Sequence, residues 1–154
     1  MKGSYILLVR LAAGKDILIG KLGHISFLKA SYAYVGSAMN GFRTRLAHHL
    51  REEKKLHWHI DYLLKETEIE EIILCQAEKK IECNLAQALA GEFQFIPGFG
   101  ASDCRCQSHL YFADEKDKLK ARIIEAVSQA GLAHEIFSGM FTVTLSDGEE
   151  TSDS

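Results

Sequence analysis

The run Tyr32-Ala33-Tyr34-Val35-Gly36-Ser37-Ala38 constrains the fold more than any other stretch of this chain. Residues Tyr32–Gly36 read as a strand that stops at Gly36-Ser37, and helical periodicity takes over a few positions later. Side chains alternate along a strand, so Tyr32 and Tyr34 share one face. From Phe42 to Arg51 the positions Phe42, Leu46 and His49-Leu50 recur three and four apart, with Asn40-Gly41 as the start of a helix. Arg45 and His49 are four apart and therefore stack on one helical face.

Other segments follow the same logic. Tyr5–Leu11 is an apolar run of β-formers and reads as a strand, followed by a turn over Ala12–Asp16. Ile17–Leu22 and His24–Leu28 are two short strands around Gly23. Trp58–Leu64 is a second helix, and Ile69–Gln76 is a strand rich in Ile and Leu. Ile81–Leu89 is a helix that buries Leu85, Ala88 and Leu89. Phe93–Gly100, with the single proline Pro97, is a loop, and His109–Ala113 is a short strand. Asp117–Ala130 is a helix stopped by Gly131, and Phe137–Leu145 is a last strand.

A chain of 154 residues fits one domain with a buried core, and nothing in it reads as an internal linker. No run approaches the roughly 18 apolar residues of a membrane span. The apolar run Tyr5–Val9 is too short, and too soon followed by Arg10, for a secretory signal. The expectation is a cytoplasmic protein with no membrane association. Its four cysteines are then thiols or metal ligands rather than a disulfide framework. The net charge of −3 disfavours a nucleic-acid partner, but the segment Asp147–Ser154 alone holds four acids and no base. Elsewhere Arg43, Arg45, Arg51, Lys54 and Lys55 cluster beside His48, His49, His57 and His59. Such a segment can supply a local phosphate site; the alternative is a solvated helix face.

Cutting a phosphodiester requires a water nucleophile, a base for its proton, a cation for the developing charge and help for the leaving oxygen. Carboxylate oxygens holding Mg²⁺ or Mn²⁺ supply part of this. The chain offers Tyr5, Tyr34, Arg45, His49 and several carboxylates, and spacing does not say which carboxylate faces them.

Gly3-Ser4-Tyr5, Tyr34-Val35-Gly36, the helix with Arg45 and His49, and Glu82 occur in an order that resembles the GIY-YIG nuclease superfamily. The runs Tyr32–Gly41, His57–Leu64, Glu82–Leu89 and Gly98–Phe112 resemble more closely an uncharacterised prokaryotic branch of it. Members of that branch are described as candidate endonucleases, sometimes joined to a DNA-repair glycosylase. The resemblance covers about Gly3 to Phe112. It implies an α+β fold with a small, mainly antiparallel central sheet flanked by helices. Residues 1–113 would form the nuclease-like domain, 114–145 a helix–strand extension packed on it, and 146–154 an acidic disordered tail.

The resemblance also implies roles. Glu82 would bind one Mg²⁺ or Mn²⁺, and Arg45 would hold the scissile phosphate. Tyr5 would be the general base or would position the water, and as a base it needs a nearby cation or the metal to lower its pKa from near 10. Tyr34, His49 and His57 would complete the catalytic set, with Gly36, Ser37 and Arg43 binding substrate. His59 and Asp61 would support them. Ser4 stands where the superfamily's first motif has isoleucine, pointing away from the Gly3 and Tyr5 face. A late polar residue, often asparagine, has no clear counterpart, and His109 or Ser108 is the candidate to fill it.

Cys104-x-Cys106-x-x-His109, with Cys83, offers thiolate and imidazole ligands for Zn²⁺; buried free cysteines are the competing and favoured reading. A metal-dependent endonuclease acting on DNA is the expectation. Alternatives are a nucleic-acid-binding module without strong cleavage, or a partner-binding regulatory domain. Phe141–Leu145 as an edge strand would allow a homodimer.

Overall fold

Eight of the nine residues of β1 (Gly3–Leu11) are buried, so this strand must lie in the middle of a sheet covered on both faces. The computed structural model describes residues 1–51, 54–101 and 104–138. After β1 come β2 (Lys15–Leu18), a 3-10 turn (Gly20–Leu22), β3 (His24–Phe27), β4 (Ala30–Ala38), α1 (Phe42–Leu50) and α2 (His59–Leu64). β5 (Glu68–Gln76), α3 (Glu82–Ala90), β6 (Gln94–Phe95), β7 (Leu110–Ala113), α4 (Lys116–Gln129) and β8 (His134–Ser138) follow. The fold is α+β. One sheet has the order β6-β7-β4-β1-β5-β8 with every neighbouring pair antiparallel, and β2 and β3 form a separate hairpin.

Alternation along β1 divides the core in two. Tyr5, Leu7, Val9 and Leu11 face a cluster completed by Tyr32 and Tyr34, Phe42 and Leu46 of α1, Ile60 and Leu63 of α2, and Ile17 and Phe27 of the hairpin. Ile6 and Leu8 face the other cluster, formed with Leu85 and Leu89 of α3 and Leu119, Ile123 and Val127 of α4. The helix expected from Asp117 therefore shares the core of β1 and β4. It ends as Gly131 implies: Gly131 N–H bonds Ser128 O (3.0 Å) and Leu132 N–H bonds Val127 O (3.2 Å), with φ +72° at Gly131.

The β1–β5 register slips between Leu8, opposite Glu71, and Val9, opposite Ile69, so Glu70 is a bulge residue. The extra residue resets the alternation. Ile69 joins the face of Tyr5, while Glu71 turns toward α4. There Glu71 is only 3% exposed and is clamped by Lys116 (2.6 Å) and Lys120 (2.7 Å), which are one helical turn apart. Burial pushes the Glu71 carboxyl up, but the two lysines outweigh it and hold its pKa below the ordinary value.

Three expectations about elements change. The strand Ile17–Leu22 stops at Leu18, because Gly20 adopts φ +45° and the chain enters a 3-10 turn closed by Gly23 N–H to Gly20 O (3.1 Å). The loop 93–100 contains the two-residue strand β6, paired to Phe112 and Tyr111. The last strand starts at His134, three residues earlier than expected, because its pairing with Cys75 begins there. Its expected continuation to Leu145 and the acidic tail 146–154 lie outside the described residues. No helix among the described residues is long and apolar enough to cross a membrane.

Glu71→Gln should lower stability by about 1–2 kcal/mol, since two half-exposed lysines lose a buried anionic partner. The wild-type advantage exists above the carboxyl's unfolded pKa and fades as pH falls through its depressed folded value. Urea unfolding of both proteins at neutral pH and at about pH 3 would show the difference shrinking with acid.

Candidate functional site

One open cleft of about 340 Å³ collects residues from five separate parts of the chain. Tyr34, Val35, Gly36 and Ser37 come from the end of β4, and Arg45 from α1. His57, Trp58 and His59 come from the entry to α2, and Lys80 and Glu82 from the start of α3. Gly100, Cys104 and His109 complete the wall. Only one of these lining residues, Glu82, is a carboxylate, against the cations Arg45 and Lys80 and three imidazoles. Glu82 Oε2 and Ser37 Oγ are buried without a hydrogen-bond partner. Buried polar atoms are rarely left so, and a carboxylate oxygen without a hydrogen-bond partner in a cleft wall is chemically able to accept a cation.

Arg45 is braced from below. Its guanidinium carbon lies 4.3 Å from the centre of the Trp58 ring, a cation–π contact. Trp58 also meets His48 (4.8 Å) and His57 (5.0 Å) edge-on. The segment is held by Asp61, which is fully buried. Asp61 Oδ2 accepts the backbone N–H groups of His57 (2.8 Å) and Trp58 (2.9 Å), capping α2, and Oδ1 lies 3.0 Å from His48 Nε2. Burial raises the Asp61 pKa, but the N–H groups of Trp58 and His57 and then His48 overcome that and hold it low.

Tyr5 and His49 lie behind the cleft rather than in its lining. Tyr5 Oη and His49 Nε2 are 2.6 Å apart. A Cβ on Gly36 would fall 2.5 Å from that hydroxyl, so only the bare glycine backbone lets the phenol reach this place. Burial, reinforced by Tyr34, raises the Tyr5 pKa well above 10 despite Arg45. Arg45 alone does not make the phenol acidic: desolvation outweighs it, and without a metal ion Tyr5 is a neutral donor. Burial also pushes the His49 pKa down to about 3, so its imidazole is neutral. His49 Nδ1 faces Asp61 Oδ1 at 4.0 Å, which favours the proton on Nδ1 and leaves Nε2 to accept from Tyr5.

The remaining expected residues divide. Tyr34 and His57 line the cleft, Tyr34 packing edge-on to Phe99 (6.2 Å). Arg43 is not among the lining residues; two positions from Arg45, it points about 200° away around α1. His59 is tied to the far wall of the cleft by a hydrogen bond. Its Nδ1 accepts the Gly100 N–H (2.8 Å), which places its own proton on Nε2. Gly100 holds φ +69°, and a Cβ there would meet Tyr34 at 3.2 Å. Of the two candidates for the late polar residue, Ser108 Oγ is engaged with the backbone of Leu110, while His109 lines the cleft with its ring nitrogens directed at the Val35 carbonyl and Cys104.

His109 belongs to a second feature in the same wall. Cys83, Cys104, Cys106 and His109 present four ligand atoms within 4.8 Å of one another, an arrangement able to hold a metal ion. His109 Nδ1 is 3.1 Å from the Val35 carbonyl oxygen, so it donates there and turns Nε2 toward Cys104 Sγ (3.3 Å) and Cys83 Sγ (3.9 Å). Burial, then the neighbouring Cys83 and Cys104, pushes the Cys106 thiol up to about 12. All four cysteines are free thiols here; Cys75 is buried, whereas Cys83, Cys104 and Cys106 are half-buried. Sequence reasoning passed over Trp58, Lys80 and the orientation of His59; a lone tryptophan between two histidines was the available signal.

The neutral His49 yields a pH prediction. Its pKa is about 3 in the folded chain and roughly 6.5 when unfolded, so the unfolded chain binds an extra proton in between. Stability should fall as pH drops from about 6.5 toward 3, with the loss of Asp61's charge adding to it at the acidic end. Urea midpoints across that range should decline for the wild type and more gently for His49→Phe. A wild-type profile flat above about pH 4 would contradict a buried neutral imidazole.

No curated protein and no solved structure matches the chain. A family model described as a domain of unknown function, DUF123, matches residues 4–132, through α4 as well as the cleft, and the chain belongs to that family.

Proposed function

We propose that the cleft is the active site of a metal-dependent endonuclease of GIY-YIG type that hydrolyses DNA phosphodiester bonds. One observation carries the reading. Arg45, Tyr34, Glu82 with its orphaned oxygen, and the Tyr5–His49 pair behind Gly36 converge on one cleft from four segments of chain. The guanidinium, held flat on Trp58, suits a phosphate and the charge that builds on it in the transition state. Lys80 adds a second positive charge for the flanking backbone. Tyr34, with the backbone of Gly36 and Ser37, orients the phosphate or the attacking water. That water's proton passes to the Tyr5 oxygen as Tyr5 gives its own to His49 Nε2, and the buried Asp61 carboxylate steadies the imidazolium.

A single carboxylate with a vacant oxygen fits a hard divalent cation, whose shell phosphate and water would complete. Glu82 would hold Mg²⁺ or Mn²⁺, which would polarise the phosphate and aid the leaving oxygen. His59, with Nε2–H free of the Gly100 bond, is a donor for the leaving side.

A nucleic-acid-binding module without cleavage has one observation in its favour: Tyr5 is fully buried and its pKa is raised, so it is a poor base until the proton relay operates. The same assay separates the two readings. Purified chain, dialysed and supplied with Mg²⁺ or Mn²⁺, should cut at least one of duplex, single-stranded, flap or branched labelled DNA. Arg45→Ala and Glu82→Gln should each lower the rate by about 10²–10³-fold while leaving the folded circular dichroism spectrum unchanged. Binding without cutting by the folded wild type would favour the binding module.

A further inference from the structure

The four residues Cys83, Cys104, Cys106 and His109 play no part in the reaction above, yet they are the most concentrated group of metal-binding side chains among the described residues. We propose that they bind one Zn²⁺ in a closed tetrahedral centre, which fastens the segment between β6 and β7 to the first turn of α3. Three observations carry this.

The first is size. Zn–S bonds of about 2.3 Å and Zn–N bonds of about 2.0–2.1 Å place the corners of a tetrahedron roughly 3.5–3.8 Å apart. The spacings from His109 Nε2 to Cys104 Sγ, 3.3 Å, and to Cys83 Sγ, 3.9 Å, bracket that edge. All four ligand atoms lie within 4.8 Å of one another, which suits a single ion. A multi-iron cluster attaches its ligands to different metal atoms and needs them farther apart.

The second is orientation. A metal-bound histidine commonly donates its other ring N–H to a carbonyl, and His109 Nδ1 does so to Val35. Its Nε2 lone pair is thereby aimed at the sulfurs before any ion arrives. The third is donor chemistry. Three thiolates and one imidazole select zinc over magnesium or manganese, which prefer oxygen. Loading exchanges three thiol protons for one Zn²⁺, giving a centre of net charge −1, and no oxidant takes part.

Four protein ligands leave no open coordination position, so this centre is structural although Cys104 and His109 touch the cleft. Its effect on the cleft is positional. Cys83 directly follows Glu82 on the first turn of α3, and the segment that carries Cys104 also carries Gly100, the partner of His59. The zinc would set the separation of these two cleft walls.

Metal analysis of the full chain, purified without chelator, should find about one zinc per chain. Cys83→Ser and Cys106→Ser, neither of which lines the cleft, should each retain less than about a tenth of that. Cys75→Ser and Glu82→Gln should retain all of it. Cobalt reconstitution of the wild type should give thiolate charge-transfer absorption and the intense visible bands of a tetrahedral ion. That readout needs no variant to fold. Wild type without zinc and without a cobalt–thiolate signal, iron in place of zinc, or zinc kept by both serine variants would overturn the centre. A chain that carries zinc but cuts no DNA would leave it standing and remove the nuclease reading. A chain that cuts DNA without zinc would do the reverse.

Discussion

Strand β1 is buried on both faces, and that single constraint orders nearly everything else. A strand with no solvent face must assign each of its side chains to one of two cores. Tyr5, Leu7 and Val9 go to the side of α1 and α2, and Ile6 and Leu8 go to the side of α3 and α4. Tyr5 therefore has no choice but to meet α1, and it does so at His49. On the other strand facing β1, Gly36 stands opposite Tyr5 in the register, so the phenol ring lies across a residue with no side chain. A slip of one residue in either strand would exchange Tyr5 for Ser4 or Ile6 and dissolve the pair. The bulge at Glu70 on the opposite edge does the complementary job: it lets Ile69 serve one core while Glu71 reaches the lysines of α4.

The cleft depends in turn on one buried carboxylate. Asp61 accepts two backbone N–H groups and faces two imidazoles, and it has no exposure to water. A group this desolvated survives ionised only because so many donors converge on it. That convergence fixes the backbone of His57 and Trp58, and Trp58 then supports Arg45. The guanidinium at the cleft is thus positioned through an aromatic ring by an acid that never touches the cleft.

Much of this was legible in the sequence, and for identifiable reasons. The placement of β1, β4 and β5 follows from long apolar runs, and α3 and α4 from three- and four-residue spacing with Gly131 as a stop. Arg45, Tyr34, Glu82 and His57, expected together from the order of motifs, do line one cleft. Other features were not legible because they depend on tertiary contacts. The two-residue strand β6 has no periodicity of its own and exists through pairing with β7. Arg43 and Arg45 look alike in a basic run, and only the position of α1 turns one toward the cleft and the other away. His57 seemed the better histidine by position, whereas a backbone N–H from Gly100, far along the chain, orients His59. Residue type had already grouped Cys83 with Cys104, Cys106 and His109 as candidate zinc ligands, but their closeness within 4.8 Å, across a helix and a strand, comes from the fold alone. The balance at Tyr5 was hidden for the same reason: Arg45 is visible in the sequence as a neighbouring cation on α1, while the depth of burial that outweighs it is not.

The space absent at Gly36 has a consequence for how this protein can change. The ring of Tyr5 occupies the volume where a Cβ would be, and the same ring ends against His49. A larger residue at 36 displaces the phenol, a smaller residue at 5 leaves a hole and an unpaired imidazole, and a different residue at 49 strands a buried hydroxyl. Substitutions at these three positions are strongly non-additive, because each is tolerable only against a particular pair of companions. A change at any one of the three positions therefore carries a cost that only a matching change at its companions relieves, so this corner of the molecule behaves as one unit rather than three.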